Sequence, residues 1–96
     1  MLNQIIFVGR LTDIKENKEE KKAKVTLAIP RNYKNENGEY DTDYIPCELK
    51  GVIATNTIEY CKKGDLIGIK GRIESENKKI VIKAEKVTFL SSKSSE

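Results

Sequence analysis

The feature that most constrains the fold is an alternation between Lys21 and Pro30, in which Ala23, Val25, Leu27 and Ile29 share one face and Lys22, Lys24, Thr26 and Ala28 share the other. Successive side chains of a β-strand point to opposite faces of a sheet, so this spacing predicts a strand with one buried and one solvated face. A second alternating run, Tyr40–Lys50, follows a turn signal at residues 35–38, and the pair predicts an antiparallel hairpin with a long loop. Its buried face is predicted to carry Ala23, Val25, Leu27, Ile29, Ile45, Cys47 and Leu49.

Two other segments depart from the period of two. In residues 52–65, three apolar residues fall at helical spacing, two lysines follow, and Gly64 is placed to cap a helix. This segment is therefore predicted to form one short helix. The run of charge between Asp13 and Lys22 is predicted to be a solvated loop or an exposed hairpin tip.

Three more strands complete the prediction. Leu2–Leu11 is rich in β-branched and aromatic residues and is expected to bend near Gly9, while residues 65–75 and 78–90 alternate around a turn. Three strands, one helix and two strands, in that order, are typical of an all-β domain with one short helix, the five-stranded Greek-key β-barrel of the OB-fold. A β-sandwich needs about seven strands. We predict one domain over residues 1–90 and a disordered tail over residues 91–96.

Most residue types used for catalysis and metal binding are missing or unsuitably placed. The chain has no histidine, so Cys47 and Cys61 cannot complete a zinc site or a Cys-His pair. It also lacks a glycine-rich phosphate loop and a nucleophile-elbow serine. We therefore predict no catalytic residue, no metal and no cofactor, and interpret both cysteines as reduced residues in or near the core. The apolar runs are too short to span a membrane, which predicts a soluble cytoplasmic protein.

Three of the four tyrosines, Tyr33, Tyr40 and Tyr44, lie close together in the sequence. Alternation places Tyr44 on the solvated face, near lysines of its partner strand. Exposed rings stack on bases at ~1–3 kcal/mol each, and cations replace the counterions of a phosphate backbone. This combination favours binding of single-stranded nucleic acid. The alternative is that the tyrosines only cover strand edges and the lysines only keep the protein soluble.

Basic residues on the solvated faces of several strands support the same interpretation. The net charge of +3 is a mild bias in the direction that a polyanion requires. Asp41 and Asp43, by contrast, are interpreted as solvated charges at a strand edge. The candidate nucleic-acid-binding residues are Tyr33, Tyr44, Lys22, Lys24, Arg31, Lys50, Lys70, Arg72 and Lys83.

Four segments resemble, in order and spacing, the OB domain of bacterial-type single-stranded DNA-binding proteins over about residues 1–90: MLNQIIFVGRLT, TLAIPRNY, NGEYDTDYIPCEL and YCKKGDLIGIKGRI. The resemblance implies that Tyr33 and Tyr44 stack on DNA bases and that basic strand residues neutralise phosphates. It also implies a homotetramer, or else a dimer, formed partly through the first strand. The expected role is in DNA replication, recombination or repair, in the cytoplasm and at the nucleoid.

The chain departs from the family pattern at three places. Lys50 stands where many relatives have an aromatic ring, and the hairpin ESENKK is short. The end SSKSSE lacks the acidic, aromatic-tipped tail of the family, so tail-mediated recruitment of replication proteins is not expected. Two alternatives stay open: a module similar to primosomal replication protein N, which acts mainly through protein contacts, and an OB domain used only for protein assembly.

Overall fold

The alternating segments form the walls of one closed barrel. A computed structural model describes residues 1–92. The strands close in the order β1-β2-β3-β5-β4, and all neighbours are antiparallel except β3 and β5. The predicted element order and barrel are confirmed. The elements are β1 (Ile5–Asn17), β2 (Lys22–Lys34), β3 (Tyr40–Lys50), α1 (Val52–Tyr60), β4 (Leu66–Glu76) and β5 (Lys79–Ser91).

The core is built from the apolar positions of the alternating runs. Leu27, Leu49 and Ile67 have no exposed surface, and full burial of such a side chain stabilises the fold by about 1.5–3 kcal/mol. Both cysteines are buried free thiols, and burial raises the pKa of Cys47 to about 12. The buried apolar residues are Leu11, Ala23, Val25, Leu27, Cys47, Leu49, Ala54, Cys61, Ile67 and Ile69.

The first strand begins later than the predicted Leu2–Leu11, at Ile5, and runs further, to Asn17. The β1–β2 register shifts between Leu11 and Asp13, and beyond this bulge the alternation restarts. Ile14 then lies opposite Val25 in the ladder. The prediction of a loop is therefore wrong for residues 13–17, and only residues 18–21 form the hairpin tip. Because the bulge resets the inward and outward positions, a single alternating pattern read from Leu2 could not extend past it.

The helix ends earlier than predicted. Its C-cap is Cys61, in an extended conformation, so the prediction that Gly64 caps the helix is wrong. Gly64 has a φ of 98° and lies in the following turn, where its N–H donates a hydrogen bond to the carbonyl of Leu11. The carboxylate of Asp65 accepts a hydrogen bond from the N–H of Lys62 at 2.8 Å. The first bond ties the turn to β1, and the second closes the turn that follows the helix.

Two hairpin arms extend beyond the closed part of the barrel. β1 pairs with β2 no further than Ala28, so the distal part of the β2–β3 hairpin has no third strand beside it. In the β4–β5 hairpin, Ile73 and Ile80 occupy inward positions, yet Ile80 is 77% exposed, because neither β1 nor β3 reaches this arm. Alternation thus predicts the face of these residues and not their burial.

The barrel closes between β3 and β5 at a narrow seam. The two strands share a single residue pair, Glu48 and Lys83. The ammonium of Lys83 lies 2.6 Å from a carboxylate oxygen of Glu48 and 2.8 Å from one of Glu76. Gly71 of β4 packs against the carbonyl oxygen of Lys83, where a Cβ would have no room. The β3–β5 seam is therefore centred on the Glu48–Lys83 pair, and Gly71 allows β4 to approach β5 closely at the same residue.

The last strand ends close to the predicted domain boundary. β5 runs to Ser91, one residue past the predicted domain boundary, and residues 93–96 of the predicted tail lie outside the described residues. Within residues 1–92, no helix has the length and apolar character needed to cross a bilayer.

Candidate nucleic-acid interface

The tyrosine cluster lies on the arm formed by β2 and β3. Tyr33 is 61% exposed and Tyr44 is 63% exposed. Tyr44 lies opposite Ala28 in the ladder, and this small neighbour leaves the aromatic ring uncovered. The Nζ atom of Lys34 lies 5.8 Å from the centroid of the Tyr40 ring, within cation–π range. The arm therefore presents exposed rings with cations beside them.

The turn at the tip of this arm is organised by Asn35. Its side-chain oxygen accepts hydrogen bonds from the N–H groups of Asn37 at 2.8 Å and Glu39 at 3.0 Å. Gly38 has a φ of 78°, a left-handed conformation that glycine adopts without strain. The turn predicted at residues 35–38 is confirmed, and these hydrogen bonds order the tip of the arm.

Arg31 and Asp43 form a bidentate pair across the same arm. Nη2 of Arg31 lies 2.8 Å from Oδ1 of Asp43, and Nε lies 3.1 Å from Oδ2. Donation of these hydrogen bonds lowers the pKa of Asp43. The interpretation of Asp43 as a merely solvated charge is therefore wrong. Strand alternation did not reveal the pair, because its two members lie on different strands.

Lysines from three strands are placed side by side on the outer face of the barrel. Lys22 is opposite Lys50, and Lys24 is opposite Lys15. Like charges that face each other across a sheet are destabilising. None of the four lysines forms an ion pair within residues 1–92. This group, which we call the lysine cluster, is suited to an anionic partner.

Lys15 was not among the residues selected from the sequence. It lay in the run of charge predicted to be a loop, and the bulge that brings it opposite Lys24 has no clear sequence signal. Lys15 directly follows Ile14, which is partly buried. This step from an apolar to a basic residue is the one sequence clue that the alternation resumes here.

A charged groove continues from the lysine cluster across the β3–β5 seam. As many acidic as basic side chains line it, and several are paired: Lys83 with two glutamates, and Arg72 with Glu74. The pairing raises the pKa of Lys83 and lowers that of Glu76. The acidic lining was missed because the seam brings together strands distant in sequence. The charged lining residues are Lys22, Glu48, Lys50, Arg72, Glu74, Glu76, Lys83 and Glu85.

An apolar groove lies between β3 and the β4–β5 arm. Ile45 and Pro46 form one wall, and Ile80 and Ile82 form the other. Lys24 lies at its border and connects it with the lysine cluster. Ile80 is a further residue that the sequence reasoning did not select, because its position in an alternating run is that of an ordinary core residue.

The structure brings most of the predicted site residues together. Four of the basic candidates, Lys22, Lys50, Arg72 and Lys83, line the charged groove. Tyr33, Tyr44 and Arg31 lie on the β2–β3 arm. Lys70 lies apart, opposite Ile6 of β1 and Lys86 of β5, and does not line the charged groove. Within residues 1–92, no group of three or more side chains is arranged to hold a metal ion.

The sequence of this chain matches a known protein family over most of its length. Residues 2–90 match the family model of the single-strand binding protein family. The chain belongs to this family. It is 43% identical over 81 residues to single-stranded DNA-binding protein B of Bacillus subtilis (strain 168), a match that covers 80% of this chain and 72% of the relative.

A second relative is matched over a smaller share of its own length. The match to the single-stranded DNA-binding protein of Staphylococcus epidermidis is 44% identical over 78 residues and covers 78% of this chain but 60% of the relative. Among solved structures, the small single-stranded DNA binding protein of Mycoplasma pneumoniae has a TM-score of 0.74 at 23% identity, covering 91% of this chain and 92% of that one. This likeness confirms the predicted fold.

This member of the single-strand binding protein family also has an exposed apolar surface outside the grooves. Ile6 and Val8 of β1 point outward, and Val8 lies beside Gly68 of β4 and Leu90 of β5. Because Gly68 has no side chain, the surface is flat at this point. The lysine cluster uses β1 only at Lys15, beyond the bulge, whereas Ile6 and Val8 lie before it where β1 pairs with β4, so this apolar surface is separate from the cluster and the charged groove.

Proposed function

We propose that this protein binds single-stranded DNA without strong sequence preference. The observation that carries the proposal is the placement of the lysine cluster and the exposed Tyr44 on one outer face of β1, β2 and β3, with the exposed Tyr33 on the same β2–β3 arm. Ring faces stack on any base, and lysines contact any phosphate, so neither kind of contact reads sequence. The relatives that the chain matches are named single-stranded DNA-binding proteins, which supports the same conclusion.

The proposed path runs along β3. Tyr44 and Lys50 point to the same outer face, and at ~3.3 Å per residue they are separated by about 20 Å of strand. Bases stack on Tyr44 and Tyr33 on the arm, while phosphates are neutralised by Lys22, Lys24 and Lys50. The exposed Ile80, across the apolar groove, supplies an additional surface for a base.

We expect oligo(dT) to bind at least tenfold more tightly than duplex DNA of the same length, because paired bases cannot stack on the tyrosines. Quenching of tyrosine fluorescence measures the binding directly, since the chain has no tryptophan. Equal affinity for the two forms of DNA would contradict the stacking mechanism. A failure to bind any oligonucleotide would favour the protein-assembly alternative, and oligo(U) in the same titration measures discrimination between DNA and RNA.

In this role the protein protects single strands during replication, recombination or repair. It acts by binding alone, without catalysis, and works in the cytoplasm where the nucleoid exposes single strands. A module that acts mainly through protein contacts, similar to primosomal replication protein N, is expected to bind oligo(dT) only weakly.

We also propose that the protein forms a homotetramer, or else a dimer, through the apolar surface of β1. Ile6, Val8 and Leu90 are exposed in the single chain, and the flat surface at Gly68 permits close packing of a second copy. Light scattering at micromolar concentration is expected to give a mass above that of one chain. Val8→Glu is expected to lower that mass, because it places a charge in the interface. A monomeric parent protein would contradict this proposal.

A further inference from the structure

Tyr33 lies in a bulge that the β-ladder does not hold. The β2–β3 register is regular up to Pro30 opposite Thr42 and resumes at Lys34 opposite Tyr40. Between these pairs, β2 has three residues and β3 has one, so the segment that carries Tyr33 has no regular partner. A bulge of this kind re-aims side chains, but it also removes ladder hydrogen bonds that would fix them.

Arg31 ties this bulge to β3. Two of its guanidinium nitrogens lie 3.1 and 2.8 Å from the carboxylate oxygens of Asp43, and a third lies 3.7 Å from the carboxylate of Asp41. The planar fork of arginine matches a carboxylate at both oxygens, which fixes direction as well as distance. The Cζ atom of Arg31 also lies 6.0 Å from the centroid of the Tyr33 ring.

We propose that Arg31 is a positioning residue for base stacking, which holds the Tyr33 ring through its pair with Asp43 and is not itself a phosphate ligand. The inference rests on the proposed function, because it assigns Tyr33 to base stacking. It also gives Asp41 and Asp43 a role. Two carboxylates on a DNA-binding arm repel phosphates, and here they hold the arginine that orders the ring.

The charges near Arg31 support this role over direct phosphate binding. Its charge is balanced by Asp43, and Asp41 makes the immediate group negative. A phosphate would have to displace the bidentate carboxylate to reach the same donors. The four lysines of the cluster form no ion pair within residues 1–92, so the cluster is the better phosphate site.

Asp43→Asn is the decisive variant because the two roles predict opposite signs. Simple electrostatics predicts tighter oligo(dT) binding when a negative charge is removed. Positioning predicts weaker binding, by about two- to fivefold, because the bulge loses its tie to β3. Glu39→Gln is the matched control: it removes the same charge from the same arm, and Glu39 forms no ion pair in the described chain. Its binding is expected to be unchanged or slightly tighter.

Variants of Arg31 separate charge from geometry. Arg31→Lys keeps the positive charge but loses the fork, and is expected to weaken binding about as much as Arg31→Ala. The slope of log K against log salt should stay at the parent value for both variants. In Arg31→Ala/Tyr33→Ala, the loss should be no larger than for Tyr33→Ala alone, because both changes remove one unit.

Three results would overturn the proposal: tighter binding by Asp43→Asn, normal binding by Arg31→Lys, or a salt slope shallower by about 0.7 in Arg31→Ala, the value of one lost phosphate contact. Normal binding by Tyr33→Ala, together with a loss in Tyr44→Ala, would also overturn it while leaving the proposed function intact. A parent protein that fails to bind oligo(dT) would instead remove the proposed function. Circular dichroism confirms that each variant is folded.

Discussion

Tyr44→Ala is expected to weaken oligo(dT) binding by about 1–3 kcal/mol, the range measured for loss of one base–aromatic stack. Tyr44 is the most exposed ring of the β2–β3 arm, and its cross-strand neighbour is the small Ala28. The change removes no charge, so the salt dependence of binding should be retained. Titrations at several salt concentrations measure the affinity and the slope together.

Two further variants serve as controls for Tyr44→Ala. Tyr60→Ala removes an equally exposed ring from α1, away from the β2–β3 arm, and should bind as the parent does. Lys22→Ala/Lys50→Ala should behave in the opposite manner, with a salt slope shallower by up to about 1.4 if each lysine neutralises one phosphate. Parent-like binding by Tyr44→Ala would show that the outer face of β3 is not the DNA path.

Gly71→Ala is expected to lower the free energy of unfolding by about 1–3 kcal/mol or more. A Cβ at this position would collide with the carbonyl oxygen of Lys83 and lie 3.2 Å from the Cα of Ala84. Both are backbone atoms, which cannot move aside without displacing β5 at the seam. Urea unfolding followed by circular dichroism measures the loss.

Gly68→Ala in the same strand is the matched control. Its Cβ would meet the Val8 side chain at 3.5 Å and that of Leu90 at 3.7 Å, which are ordinary contacts. Its stability should therefore change little. The two variants are compared at one protein concentration, because Gly68 lies on the proposed self-association surface. A loss in Gly71→Ala as small as that expected for Gly68→Ala would mean that the seam tolerates displacement of β5.

The fold was largely readable from the sequence because alternation and turn residues act locally. The strands of the central hairpin, the turn at residues 35–38 and the short helix each follow from neighbours in the chain. The bulge at Thr12 was not readable, because a bulge is decided by how two strands fit together. For the same reason, the exposure of Ile80 depends on where β3 stops pairing with β5.

The candidate site was readable in composition but not in its pairings. Tyr44 and the outward lysines of β2 and β3 follow from strand faces, whereas Tyr33 was selected through the family resemblance and lies in a bulge. The partners of Arg31 and Lys83 do not, because Asp43 and Glu48 reach them only through folding of the arm and closure of the barrel. Sequence alone therefore lists cations without showing which of them are already neutralised.

The narrow seam has a consequence for motion in the folded state. β1 and β4 pair from Ile5 to Arg10, whereas β3 and β5 share one pair, so local opening should begin between β3 and β5 and leave both hairpins intact. Such breathing would appear as faster amide hydrogen exchange along this side of β3. A DNA strand that contacts both β3 and β5 would hold the two strands together. By mass action, the exchange would slow as the DNA concentration rises above Kd. The ligand would then complete a closure that the protein makes only weakly by itself.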